Sequence, residues 1–236
     1  MRLGRGIAFY AFNMSQSAPR TQRAAPTPGR WPSSSPLLVV DLEATCWNTR
    51  PPKGQVHEII EIGWALLDID ADPPRITRNG TYLVKPVRST VSPFCTELTT
   101  ITPELVETEG ITLEEAFRRL VDEVNSRNYE WGSWGDYDRD MIARQCRAFG
   151  LEYPFNSTHY NLKALFKSFY PNINGTYGMA NAFKYIMKQP LIGTHHRGGD
   201  DARNIADIFG RLLVNKQERE AEQAREAEQA KEAEKE

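Results

Sequence analysis

Between residues 37 and 215 the hydrophobic positions change rhythm, predicting strands first and helices afterwards. Residues 37–45 (LLVVDLEAT) are a short apolar run broken by two acids, the pattern of a buried strand. Residues 59–68 (IIEIGWALLD) predict a second strand, and 75–86 (RITRNGTYLVKP) a third, ended by Pro86. The period then lengthens. Thr102-Pro103-Glu104 signals a helix start, a cap residue followed by proline at the first position. Thr112 and Glu115 make a capping-box pattern that opens an amphipathic helix running to about Arg127. Residues 129–135 predict a fourth strand. Residues 138–149 predict a helix with Met141, Ile142, Cys146 and Phe149 on one face, closed by Gly150. Helices near 161–169, capped by Asn161, and 178–187 follow. A last helix over 199–215 buries Ile205, Ile208, Phe209, Leu212 and Leu213. This order predicts a mixed α/β sheet with helices packed against it.

The two ends depart from that pattern. Residues 1–36 hold five arginines and no acid among many Ser, Pro, Gly and Ala. An organelle-targeting segment has that composition, but Pro26, Pro28, Pro32 and Pro36 do not suit an amphipathic helix. The reading adopted is a disordered basic arm, or an upstream start ahead of Met14. Residues 216–236 repeat every six residues around Arg219-Glu-Ala-Glu-Gln-Ala and Arg225-Glu-Ala-Glu-Gln-Ala. Six does not match a helical seam and only Ala is apolar, so a solvated helix is expected and not a coiled coil. The expected domain is therefore residues 37–215.

That central segment carries 19 basic and 23 acidic residues, so it is not a globally basic nucleic-acid binder. An acidic domain still suits a nucleic-acid enzyme if several carboxylates become cationic sites on loading with metal. Cys46, Cys95 and Cys146 lie far apart with no C-x-x-C pair, which spells neither a zinc site nor a disulfide framework. A reducing compartment, the cytoplasm, is expected, and no apolar run approaches a membrane span.

The chemistry starts at Asp41-Leu42-Glu43. Residues i and i+2 of a strand share a face, so the two carboxylates stand together. In a buried strand they repel and are expensively desolvated unless a cation compensates; at an exposed strand end they cost little. Further acids bear on that choice. Of Asp136, Asp138 and Asp140, helical periodicity selects Asp138, three and four residues before Met141 and Ile142. Asp140 falls on the solvent stripe with Arg144 and Arg147, and Asp136 reads as a cap or turn. In HHRGGDD (195–201), Asp201 precedes Ile205 and Ile208 on the buried stripe, while Asp200 is expected to cap the helix. The histidine that pairs with Asp201 is His196. Oxygen-only ligands Asp41, Glu43, Asp138 and Asp201 suit Mg²⁺ or Mn²⁺. Two such ions can clamp the attacking and leaving oxygens of a phosphoryl displacement, with neutral His196 as general base.

At these residues the chain resembles the DEDDh family of 3′→5′ exonucleases. The motifs are DLEAT, SWGDYDRD and HHRGGDDARNIADIF, in order, with histidine five residues before aspartate as His196 and Asp201 stand. HEIIEIGWALLD and FCTELTTITPELV, with DLEATCW, are similar to the enhanced-RNAi and histone-mRNA 3′-exonuclease branch and its stand-alone bacterial members. Thr100 departs from the pattern, which carries glycine there. The resemblance implies an RNase H-like fold, a five-stranded mixed sheet with helices on both faces. It implies hydrolysis with two ions from the 3′ ends of single-stranded nucleic acid, RNA favoured over DNA, releasing nucleoside 5′-monophosphates. It also implies that Leu98 and Thr99 wedge against the terminal base or sugar with the Leu42 backbone nearby, although Leu98 reads equally as core. Lys163 is a candidate phosphate contact and Trp47 a candidate stacking residue, whereas Phe166 reads as core. A non-catalytic RNA-binding protein on this fold would lack a ligand or the base; none is missing.

Overall fold

The computed structural model describes residues 30–173 and 178–233, so the arm up to residue 29 lies outside the described residues. β1 (Leu37–Ala44) is the middle of a five-stranded sheet. On one side it pairs antiparallel with β2 (Ile59–Asp68), which pairs antiparallel with β3 (Arg75–Leu83). On the other it runs parallel to β4 (Trp131–Ser133), itself parallel to β5 (His159–Asn161), giving the order β3-β2-β1-β4-β5.

Strand alternation splits β1 between two cores. Leu38, Val40 and Leu42 face a layer formed with α3 (Leu113–Asp122) and α4 (Tyr137–Phe149), through Phe117, Leu120, Met141 and Ile142. Leu37 and Val39 face α5 (Leu162–Phe169), α6 (Met179–Met187) and α7 (Gly198–Ala233), through Leu165, Phe183, Ile205 and Phe209. Helices thus cover both faces, as the resemblance implied. A third cluster of Ile60, Val91, Cys95, Ile101 and Val106 anchors α1 (Pro93–Thr99) and α2 (Pro103–Thr108).

The predicted elements differ from these mainly at their ends. β3 stops at Leu83, and Val84 makes a lone bridge to Ile111. Thr112 accepts from the Glu115 amide as a cap, but the Glu115 carboxylate does not reach back; it takes Arg118 and Arg119 instead. α3 ends at Asp122, well short of Arg127, because Asn125 turns left-handed before a 3₁₀ turn at Ser126–Asn128. Neither α1 nor β5 is predicted from the pattern, since seven and three residues are too short to establish a period.

The ends of the domain are less sharp than 37 and 215. Trp31 stacks on Phe209 with ring centroids 6.0 Å apart, and Ser35 Oγ donates to Asp68 Oδ1 at 2.9 Å. α7 continues unbroken through the six-residue repeats, and its contacts with the domain extend to Arg219, whose guanidinium lies 3.8 Å from the Phe169 ring centroid.

One glycine lets α7 reach the sheet. Gly63 lies opposite Asp41 in the ladder, and a Cβ there would stand 1.8 Å from the Gly198 carbonyl oxygen. Only a residue without a side chain admits the helix start that close to β1.

Candidate active site

Asp41 and Glu43 alternate with Leu42 and so project to the α7 side of the sheet, where the first turn of α7 brings Asp201. One carboxylate oxygen from each of Asp41, Glu43 and Asp201 lies within 4.8 Å of the others. Asp138 enters from the first turn of α4 and accepts the Leu42 N–H at 3.0 Å, so it abuts the backbone between the two strand acids. Glu43, Asp138 and Asp201 are 8, 5 and 4% exposed. Four acids from residues 41 to 201 therefore converge, three of them buried and Asp41 half-buried, so the Asp41/Glu43 pair does not lie at an exposed strand end.

The neighbouring acids sort largely as their helical positions predict. Asp140 is exposed beside Arg139, and Asp136 lies before α4, held by Arg139 at 2.9 Å and by the Asn161 side chain at 2.9 Å. Asp200 is a correction. It does not cap α7 but lies within its first turn and accepts the Thr194 amide at 2.8 Å, closing the loop before the helix.

His196 has a left-handed backbone, φ 63°, and its N–H donates to Asp201 Oδ2 at 3.0 Å. Its Nδ1 is 4.0 Å from Glu43 Oε1. The ring thus stands over the carboxylate cluster, anchored to it through its own backbone.

Burial and mutual repulsion push the acids out of their ordinary range. Glu43 is raised to about 9, by burial first and then by Asp201, Glu61 and Asp138. Asp41 is raised well above its usual value by burial and by Asp138, Asp201, Glu43 and Glu61. Asp201 is pushed up to about 7 and Asp138 to about 6, burial leading in both; hydrogen bonds including the Leu42 amide partly offset the latter. Such a cluster favours a cation at its centre over four bare anions. Asp201 Oδ1 is buried with no hydrogen-bond partner, as a metal-ligating oxygen would be. The all-oxygen donor set fits a hard divalent ion such as Mg²⁺ or Mn²⁺. His196 is lowered by burial and by His195, which keeps its imidazole neutral near pH 7.

Glu61 is a buried acid beside the site that the reading of the sequence passed over. It is 1% exposed on β2, opposite Glu43 in the ladder. Its carboxylate accepts from Arg197 at 3.0 and 3.2 Å, from the Gly198 amide at 2.7 Å and from Thr81 Oγ1 at 2.9 Å. It ties the residue after His196 to the sheet. The available signal was a lone acid inside an otherwise apolar strand, the same anomaly that marked Asp41 and Glu43.

The expected substrate contacts are placed unequally. Leu98 is 37% exposed, so it is not core. Thr99 is fully buried, its hydroxyl donating to Cys95 O and accepting from the Ile101 amide. This corrects the expectation that Thr99 itself wedges against a nucleotide: it supports the end of α1, which carries Leu98. Trp47 is half-buried, 5.4 Å from the His57 ring, and Lys163 is exposed on the first turn of α5. The Leu42 N–H is spent on Asp138. Phe166 is core.

A five-stranded mixed sheet that gathers four carboxylates and a histidine at the mouth of its last helix is the DEDDh arrangement, and the chain belongs to the RNase T exonuclease family, whose model matches residues 38–209. Its relatives narrow the branch. It is similar to human 3′-5′ exoribonuclease 1, 28% identical over 185 residues that cover 75% of this chain and 52% of that protein. It is also similar to the probable 3′-5′ exonuclease KapD of Bacillus subtilis (strain 168), 24% identical over 78% of this chain and 88% of that one. Among solved structures it resembles the nuclease domain of 3′hExo, a DEDDh family member, bound to rAMP, with TM-score 0.67 and 27% identity over 76% of this chain and 92% of the other. The chain spans about half the length of the human relative and 28% of ERI1 exoribonuclease 2 from Xenopus laevis.

Proposed function

We propose that this protein is a metal-dependent 3′→5′ exonuclease that releases nucleoside 5′-monophosphates from the 3′ end of single-stranded nucleic acid, RNA in preference to DNA. The observation that carries this reading is the convergence of Asp41, Glu43, Asp138 and Asp201 under the His196 ring. Support for RNA comes from the human relative, named an exoribonuclease, and from the 3′hExo nuclease domain bound to rAMP.

Two Mg²⁺ or Mn²⁺ ions held by the four carboxylates would supply charge stabilisation for the attacking and leaving oxygens. The protein's own residues do the rest. Asp41, Glu43 and Asp201 present oxygens close enough to share a ligand, and Asp138 is oriented by the Leu42 amide. His196, neutral and with Nδ1 4.0 Å from Glu43 Oε1, accepts the proton of the attacking water. Leu98, exposed at the end of α1, offers an apolar surface for the terminal base, with Trp47 and Lys163 as further contacts to base and phosphate.

Cytoplasmic residence belongs to the same proposal, supported by the free thiols of Cys46, Cys95 and Cys146. Among the described residues no helix is long and apolar enough to cross a membrane.

The test is incubation of labelled single-stranded RNA and DNA with the protein and Mn²⁺. Mononucleotides are expected, faster from RNA, and the Asp41→Ala/Glu43→Ala double variant is expected to release none. Absence of mononucleotide from the native protein, or undiminished release by the variant, defeats the proposal.

A further inference from the structure

His195 is assigned no step in the chemistry above, its one influence there being a charge effect on His196 that is smaller than burial, yet it stands against the site. Consecutive side chains in an extended chain point to opposite sides. The left-handed backbone at His196 reverses that geometry, and the two imidazoles lie face to face, ring centroids 3.9 Å apart and 30° from parallel. His195 Nε2 is 3.9 Å from Asp201 Oδ2. One donor atom from each of His195, His196 and Asp201 lies within 4.8 Å of the others, a second ligating group that shares Asp201 with the carboxylate cluster.

The two groups differ in chemistry. Asp41, Glu43 and Asp201 offer oxygen alone, the preference of Mg²⁺. His195, His196 and Asp201 offer two imidazole nitrogens and one oxygen, a set that borderline transition ions hold far better than Mg²⁺ does. Zn²⁺ accepts three protein ligands of this kind and keeps a fourth position for water. Tetrahedral ligands at about 2.1 Å from zinc lie about 3.4 Å apart, so the 3.9 Å between His195 and Asp201 is close to a ligand spacing, and the exposed His195 ring must also turn out of its stack on His196 for both in-plane lone pairs to meet one ion. Asp201 is already fixed by the His196 amide, so the loop holds both rings beside the same carboxylate.

We propose that His195, His196 and Asp201 form a capture site for a transition-metal ion, Zn²⁺ foremost, and that its occupation switches the nuclease off. A zinc ion there would occupy the nitrogen of His196 that must take up a proton and would draw Asp201 away from the carboxylate cluster. The switch rests on the exonuclease reading; the capture site itself does not. His195 is its distinguishing ligand, because the other two also serve the reaction.

The experiment uses the full-length protein, stripped of metal and returned to excess Mg²⁺. Zn²⁺ binding is measured by titration calorimetry, and Co²⁺ is added in parallel to report nitrogen ligation through its visible absorption. The native protein, His195→Ala and His195→Asn are compared. We expect zinc affinity to fall about tenfold or more in both variants. The Zn²⁺ concentration that halves mononucleotide release should rise by the same factor, with the Mg²⁺-supported rate little changed, because burial outweighs His195 in setting His196. Equal zinc affinity in native protein and variants would place the ion on the carboxylates and overturn the proposal, as would no zinc binding at all. Weakened binding with unchanged inhibition overturns the switch. A native protein that binds zinc through His195 but releases no nucleotide with any metal sinks the exonuclease reading and the switch, and upholds the capture site.

Discussion

Glu61 clasps the Arg197 guanidinium through both carboxylate oxygens, Nη2 to Oε1 at 3.0 Å and Nε to Oε2 at 3.2 Å. The pair spans 136 residues and joins the second strand to the residue that follows the proposed general base. Because Glu61 also accepts the Gly198 amide, it fixes the start of α7 and the left-handed turn at His196 together. In Glu61→Gln an amide NH₂ replaces one acceptor and the guanidinium loses its counter-charge. Breaking a fully buried ion pair on one side costs about 3 kcal/mol; Arg197 keeps 27% of its side chain exposed, so a smaller loss, about 1–2 kcal/mol, should register in denaturant unfolding. Turnover should fall with little change in KM, because the base is displaced while the substrate surface at Leu98 is untouched. An unchanged kcat in a folded Glu61→Gln protein would remove this residue from any positioning role.

Asp138 combines two tasks that one substitution separates. Asp138→Asn keeps an oxygen for the Leu42 amide while removing the charge that would hold a cation. The fold should survive and kcat should drop by about 10²–10³-fold, the scale of losing one preorganised electrostatic group at an active site. Metal-free, the variant should be at least as stable as the native protein above neutral pH, because one of the repelling acids is gone. Thermal denaturation in chelator and single-turnover rates in Mn²⁺ check both halves.

The raised acids make metal-free stability depend on pH with a defined sign. Glu43 at about 9, Asp201 at about 7 and Asp138 at about 6 all bind protons more tightly folded than unfolded. Their contribution is full below the unfolded values and is lost as pH rises through the folded ones. The melting temperature in chelator should therefore fall between about pH 6 and about pH 9, and Mn²⁺ should raise it more at the upper end, where the ligands carry charge. A melting temperature in chelator that rises over that interval would contradict the clustering of these groups.

Thr100 occupies a left-handed conformation, φ 62°, at the C-cap of α1. A β-branched residue is strained there and glycine is not. Thr100→Gly should stabilise the protein by about 1 kcal/mol after the entropy of glycine is set against the relief. Equilibrium unfolding of the two proteins measures the difference.

Much of this architecture is legible in the chain. β1 is an apolar run broken only by its two acids and β2 one broken only by Glu61 before its last residue, so local patterning marks them closely, and α4 ends at Gly150 as its left-handed φ of 68° requires. Asp138 and Asp201 could be chosen from their neighbours because a helix fixes which residues share the buried face. The harder cases share one cause. β5 and α1 are too short to show a period, and the loops that cap them take their hydrogen bonds from distant residues. Asp200 reads as a helix cap by position, yet it serves the loop at Thr194. Thr99 reads as a substrate contact by motif, yet its hydroxyl is spent inside α1.

The sequence by itself determined which side chains are out of place in a hydrophobic core, and so which must answer to a cation, because burial of charge is a property each segment carries locally. The tertiary structure alone decided how they meet. Glycine at position 63 admits α7 to β1, Glu61 seizes Arg197 across the sheet, and the turn at His196 sets two imidazoles side by side. The first two are close approaches between segments more than a hundred residues apart and the third is one left-handed residue in a loop, and no period in the chain records any of them.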